Sequence, residues 1–179
     1  NTVVKRANPE FKLEVACLTD RNGIPTYKKP MRMTKTSFNS ATGGNPDLYS
    51  LYGFFIWVGY ATNKSKNLLS FHLIRVRKIE YLTRLCDRLG LELRKNSRNK
   101  YVVFSENIGE EFRKMFYNED SDKTFPNSFY RMTREEYRGF KEGLVSSDGH
   151  LKRQVSVYDT SSRQLADKIQ ALSSINGDV

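Results

Sequence analysis

The chain has 179 residues, of which 30 are lysine or arginine and 20 are aspartate or glutamate, so its formal net charge is +10. This excess favours a polyanionic partner, either nucleic acid or an anionic membrane surface, although a basic protein kept soluble by lysine has the same composition. A hydrophobic content of 38% excludes wholesale disorder. No run reaches the ~18 to 20 apolar residues of a membrane span, and only two cysteines and two histidines, with the cysteines far apart in the sequence, argue against a structural zinc site.

The cysteines indicate the redox setting. Cys86 falls on the apolar face of a helical pattern, which favours a buried free thiol over a disulfide with Cys17. A reducing, intracellular location follows, in the cytoplasm, nucleoid or nucleus. The chain starts at Asn1 and has no signal peptide, so we expect a fragment or a processed product.

Residues 1–44 form a first segment with a β-rich pattern. Residues 3–6 and 11–15 alternate between apolar and polar side chains, and Asn22-Gly23 is a turn signal. The stretch 34–46 is rich in serine, threonine, asparagine and glycine, which is typical of a linker.

A first unit, residues 45–132, begins with a helix that contains the sequence LYGFFIWVG. Asn45 is a suitable N-cap, Pro46 suits the first turn, and Gly59 ends the helix after Val58. Apolar residues occur nearly all round this helix, which predicts a central, buried position. Period-2 and period-3.6 patterns then predict a hairpin, a second helix stopped by Gly90, another hairpin, and a third helix over 108–116.

A second unit, residues 133–179, restarts this order and then stops short. Thr133 and Glu136 form a capping box before the sequence KEGLVSSDG, in which glycine again holds the third and ninth places. One strand with Val155 and Val157 follows, and then a last helix capped by Ser161 or Thr160. The pattern predicts a degenerate internal duplication.

The two glycine-bearing sequences carry a family resemblance. The segment FKEGLVSSDG, with the looser copy LYGFFIWVG 90 positions earlier, resembles the motif of the LAGLIDADG (dodecapeptide) homing endonucleases in their single-chain, two-motif form. The resemblance covers residues 45–179. The segment DTSSRQLA is similar to a junction of intein-resident members, and residues 3–27 are similar to the end of an intein splicing segment. Neither a first-position Cys or Ser nor a C-terminal His-Asn pair is present, so we expect no splicing; a free-standing or intron-borne origin is the alternative.

The resemblance implies a duplicated α+β fold and a divalent-metal nuclease site. Two motif helices would pack face to face at Gly53 and Gly143, between antiparallel sheets that form a DNA-binding saddle. An acid before each final glycine would hold Mg²⁺, and the metal would activate water at a phosphodiester. Asp148 meets that requirement, with the backbone of Gly59 as a further ligand, although Asp148 also reads as a plain helix C-cap.

The first motif departs from this pattern, because Val58 stands where the acid is expected and an isopropyl group cannot bind metal. The resemblance therefore implies a site-specific, double-stranded DNA endonuclease whose cleavage is impaired. Nicking of one strand and binding without cutting are both compatible with a single carboxylate. The alternatives are a non-catalytic binder on the same scaffold, such as a DNA-binding remnant or a maturase-like RNA binder, and an insertion that no longer binds at all.

The resemblance also implies where DNA would bind. Hairpin strands can lie along the major groove, where arginine and lysine contact guanine or phosphate. Two motifs in one chain imply a monomer. Tyr60, Tyr101 and Trp57 are interpreted as packing residues. The candidate DNA-binding residues are the basic and polar side chains of the hairpins: Lys64, Lys66, His72, Arg75, Arg77, Arg94, Lys95, Arg98, Lys100, His150, Lys152, Arg153 and Gln154.

Overall fold

The computed structural model describes residues 44–152, 155–157 and 160–178, and these residues form an α+β fold, as predicted. The strands expected in residues 3–6 and 11–15 lie outside the described residues. In chain order the elements are α1 (Pro46–Val58), β1 (Gly59–Tyr60), β2 (Leu68–His72), α2 (Val76–Leu89), β3 (Glu92–Lys95), β4 (Lys100–Phe104), α3 (Ile108–Phe116), a 3₁₀ helix (Asn127–Arg131), α4 (Arg134–Ser147), β5 (His150–Lys152), β6 (Val155–Val157) and α5 (Arg163–Ile175).

Helices α1 and α4 pack directly against each other at the centre of the molecule. A Cβ on Gly53 would lie less than 3.0 Å from the carbonyl oxygen of Phe140, and a Cβ on Gly143 would lie equally close to that of Ser50. Glycine is therefore required at both contacts, because any side chain would push the backbones apart. Gly139 approaches Pro46 as Gly143 approaches Ser50, so the contacts advance together along both chains. The helices therefore run parallel and end on the same side.

Local sequence signals set the bounds of these helices. The side chain of Asn45 accepts a hydrogen bond from the backbone N–H of Asp47, with Pro46 in the first turn of α1. Thr133 and Glu136 form the predicted capping box at the start of α4. Gly90 ends α2 in the left-handed conformation, with φ of 65°, where a side chain is unfavourable.

The four strands of the first unit form one antiparallel sheet in the order β1-β2-β4-β3. Leu69 pairs with Val103 and Phe71 pairs with Tyr101, and these residues face the helices. Ring-to-ring contacts then join the sheet to α1 and α3, as between Phe54 and Phe71. The largest fully buried side chains include seven phenylalanines: Phe54, Phe55, Phe71, Phe112, Phe116, Phe125 and Phe140.

Cys86 is buried and its thiol is free, as predicted. Burial raises the pKa of this thiol to about 12, so it is protonated at neutral pH. In the part of the chain that the structure describes, no helix has the length and apolar character needed to cross a membrane.

The second unit differs from its prediction in two places. One strand was expected after Gly149, but β5 and β6 form an antiparallel hairpin in which Leu151 is opposite Ser156. The single-strand prediction was wrong because no glycine, proline or asparagine marks a turn between the two strands. The last helix is capped by Ser162, which accepts from the N–H of Leu165, and not by Ser161 or Thr160.

Candidate nucleic-acid interface

The outer face of the four-stranded sheet, which points away from the helices, carries a groove of about 510 Å³. Residues paired directly across antiparallel strands point to the same face. Tyr60, Ser70, Val102 and Arg94 are paired in succession and so form one row across this face. Ser70 and Val102 are buried at the centre of the row, whereas Tyr60 and Arg94 project at its two ends. This difference in height makes the face concave.

Each wall of the groove combines a ring with a cation. Lys100 lies with its ammonium 5.6 Å from the ring centre of Tyr60, and the guanidinium carbon of Arg94 lies 4.9 Å from the ring centre of Phe104. The nearby ammonium of Lys100 lowers the pKa of the Tyr60 hydroxyl, because it favours the ionised form. Arg94 also forms an exposed ion pair with Glu92. The groove therefore offers positive charge and aromatic surface together.

The structure brings together only part of the predicted DNA-binding set. Lys64, Arg94, Lys95 and Lys100 all line the groove. His72 pairs with Lys100 across the strands and so points to the same face of the sheet.

The other candidates lie elsewhere. Lys66 and Arg98 are exposed on loops, and Arg75 and Arg77 are exposed at the start of α2. His150 and Lys152 belong to strand β5, whereas Arg153 and Gln154 lie outside the described residues.

Two groove residues were missed in the sequence. Tyr60 was interpreted as a packing residue, but its side chain is 40% exposed and lines the groove, so that interpretation was wrong. Phe104 was not singled out in the sequence, and it also lines the groove. A prediction of the strand register would have identified both residues, since they share a sheet face with Lys100. Tyr101 and Trp57 do pack against the core, as expected.

The end of α4 carries the candidate metal ligand. Asp148 is the C-cap residue of α4, and its side chain is 54% exposed. One carboxylate oxygen accepts a hydrogen bond of 2.5 Å from the ammonium of Lys78, a residue of α2 whose side chain is only 10% exposed. The carboxylate is therefore already paired with a cation of this chain.

The end of α1 carries no carboxylate. Val58 is partly buried against the core. The ammonium of Lys123, from the segment after α3, donates hydrogen bonds to the carbonyl oxygens of Phe55, Ile56 and Gly59. Burial lowers the pKa of this amine to about 7, whereas the three carbonyl acceptors favour its protonated form.

These residues do not fit a paired Mg²⁺ centre. Magnesium needs several oxygen ligands in near-octahedral geometry, but Val58 offers none, and one carboxylate oxygen of Asp148 and the carbonyl oxygen of Gly59 already accept hydrogen bonds from lysine. Within the described ranges, no group of three or more His, Cys, Asp and Glu residues lies close enough together to hold a metal ion.

No protein-family model matches this chain, and no curated protein is similar to it at a significant level.

Proposed function

We propose that this protein binds double-stranded DNA through the grooved face of its four-stranded sheet. The scaffold would be a degenerate LAGLIDADG duplication of intein or intron origin, with the double-strand cleavage of homing endonucleases lost or reduced. The observation that carries the proposal is the groove itself, where Arg94, Lys100 and Lys64 line one concave face of a chain with net charge +10. Phosphate neutralisation by such cations supplies most of the affinity for DNA.

The centre of the molecule supports the same scaffold. Two parallel helices that touch through Gly53 and Gly143 correspond to the packing that the resemblance implies. Val58 argues against a complete nuclease centre, since paired-metal hydrolysis needs oxygen ligands on both sides.

Binding is tested by selecting duplexes from a randomised pool and measuring their affinity over a range of salt concentrations. We expect the double variant Arg94→Ser/Lys100→Ser to bind more weakly, and its salt slope to be shallower by about 0.9 for each lost phosphate contact. The matched control is Arg84→Ser/Arg138→Ser, which removes the same charge from exposed positions on α2 and α4. An equal loss in both variants, or no duplex binding at low salt, would overturn the proposal.

Cleavage is tested on supercoiled plasmid that carries the selected sequence, in Mg²⁺ or in EDTA, with wild type and Val58→Asp. We expect no linear product from wild type. Linear product from Val58→Asp alone would support a decayed endonuclease, whereas linear product from wild type would contradict the proposed loss of cleavage.

A second candidate partner is single-stranded RNA, in the manner of a maturase-like binder. The exposed ring of Tyr60, with Phe104 on the opposite wall, favours it because unpaired bases stack on such rings. Competition between the selected duplex and RNA of the same sequence separates the two candidates. A Tyr60→Ala variant that loses only RNA binding would favour RNA.

A further inference from the structure

Lys78 holds a position that α2 by itself does not favour. It lies in the first turn of α2, at the positive end of the helix dipole, and that turn contains no acidic residue. Its side chain is nevertheless only 10% exposed, because it reaches across to the carboxylate of Asp148 at the end of α4. The location of this lysine is therefore explained by its partner on the other helix, and not by its own helix.

Lys123 makes the corresponding interaction at the end of α1. The last turn of α1 contains no basic residue, so the negative end of its dipole has no cation from the helix itself. Lys123 supplies one from a distant segment, at 2.8 Å from the carbonyl oxygens of Phe55 and Ile56. Its ammonium also lies over the ring of Phe55, 4.8 Å from the ring centre.

Both helix ends therefore hold a lysine ammonium beside the residues to which the resemblance assigns a divalent cation. We propose that Lys78 and Lys123 replace divalent metal at the ends of α1 and α4, so that this chain binds its polyanion without any divalent cation. Lys78 and Lys123 are positioning residues in this arrangement: Lys78 neutralises Asp148, and Lys123 orders the carbonyls that lead from α1 into β1.

A tethered ammonium differs from a bound metal in its dependence on solution conditions. Metal occupancy follows the free metal concentration by mass action, whereas a lysine of the same chain is always present. A metal ion that bound both carboxylate oxygens of Asp148 would have to displace the ammonium of Lys78 from Oδ1, and repulsion between the two cations would weaken metal binding at the other oxygen. Wild-type binding should therefore be insensitive to divalent metal, and removal of Lys78 should make it sensitive.

The test on DNA rests on the proposed function and compares affinity in EDTA with affinity in millimolar Ca²⁺ at matched ionic strength. For wild type we expect the ratio of the two values to agree within about twofold with that of the surface variant Lys114→Met, because Ca²⁺ also competes with any protein for the DNA phosphates. Lys78→Met should bind about tenfold more weakly in EDTA, since it leaves the carboxylate of Asp148 without its cation and so adds repulsion towards a polyanion, and Ca²⁺ should restore part of this loss.

The double variant Lys78→Met/Asp148→Asn separates charge from structure. It removes the carboxylate with the lysine, so its binding should again be independent of Ca²⁺ and should exceed that of Lys78→Met in EDTA. Lys114→Met is the matched control, because it also breaks a lysine–carboxylate pair, with Glu110 on the surface of α3. Wild-type binding that requires Ca²⁺, or a Lys78→Met defect that Ca²⁺ leaves unchanged, would overturn the inference.

A second arm uses the protein without DNA, so that failure of the proposed function is distinguishable from failure of this inference. The melting temperature is measured in EDTA and in millimolar Mg²⁺ at matched ionic strength. Wild type should melt at the same temperature in both, and so should Lys78→Met, because without DNA phosphates Asp148 offers too few oxygen ligands for magnesium. A wild-type melting temperature raised by Mg²⁺ would contradict the inference, whether or not the chain binds DNA.

Discussion

Helices α1 and α4 have the same kind of contact along their shared face and different kinds of residue at their ends. At the shared face, Gly53 and Gly143 each bring a backbone against the carbonyl oxygen of the other helix. At the ends, α1 stops at partly buried Val58 beside a lysine bound to carbonyls, and α4 stops at exposed Asp148 beside a lysine bound to a carboxylate. The same helix pair thus has matched packing and mismatched chemistry.

The packing of the two helices and the chemistry at their ends therefore depend on different requirements. Close packing of the helix pair needs only small residues and apolar neighbours, and its loss would destabilise the fold. The residue at the end of a helix adds little to that packing, so the shared face accommodates valine at one end and aspartate at the other. The contrast can be examined at four sites, from the largest expected effect to the smallest.

The first test breaks the shared face. Gly53→Ala and Gly143→Ala should each lower the free energy of unfolding by about 3 kcal/mol or more, because the added Cβ meets backbone atoms that cannot rotate away. Urea unfolding followed by circular dichroism measures the loss. Arg138→Ala, an exposed change on α4, is the control. A loss below about 1 kcal/mol would mean that the helices do not touch at these glycines.

The second test removes the cation at the end of α1. Lys123→Met should cost about 1–3 kcal/mol, because it leaves carbonyl oxygens of α1 without their donor. The same unfolding experiment measures it, and Lys114→Met on the surface should change stability by no more than about 0.5 kcal/mol. If Lys123→Met and Lys114→Met were equally stable, the three carbonyl contacts of Lys123 would contribute nothing to the free energy of unfolding.

The third test compares the starts of the two helices. Thr133→Ala should cost about 1 kcal/mol, since the capping box satisfies two backbone N–H groups reciprocally. Asn45→Ala should cost less, because one hydrogen bond to the N–H of Asp47 is lost there. Thermal unfolding of both variants gives the ranking, and a larger loss of stability for Asn45→Ala than for Thr133→Ala would contradict it.

The fourth test removes the cation at the end of α4. Lys78→Met should cost less than about 1 kcal/mol, since Asp148 is 54% exposed and can be hydrated when its partner is lost. Methionine also keeps the volume of the buried lysine stem. Chemical denaturation at low and high salt measures the change. A cost as large as that of Lys123→Met would show that the two helix ends are equally dependent on their lysines.

Most of the first unit could be predicted from its sequence. The N-cap at Asn45, the stop at Gly90 and the two hairpins follow from capping residues and hydrophobic periodicity, which act over a few neighbouring positions. The hairpin of the second unit could not be predicted in this way, because no turn residue separates β5 from β6.

The candidate interface was predictable only in part. Arg94 and Lys100 were found because charge on a strand is visible in sequence. The role of Tyr60 was not, since its exposure depends on which strand lies beside it and on which face it points to.

The sequence by itself determined the helices, the strands of the first unit, the positive charge, the glycines of the helix pair and the absence of an acid at Val58. Only the tertiary structure decided which distant groups meet: Lys78 with Asp148, 70 positions apart, and Lys123 with Phe55, 68 positions apart. The physical reason is the distance along the chain over which each interaction acts. Capping and periodicity act within a turn or a strand, whereas an ion pair or a carbonyl contact depends on how whole elements pack.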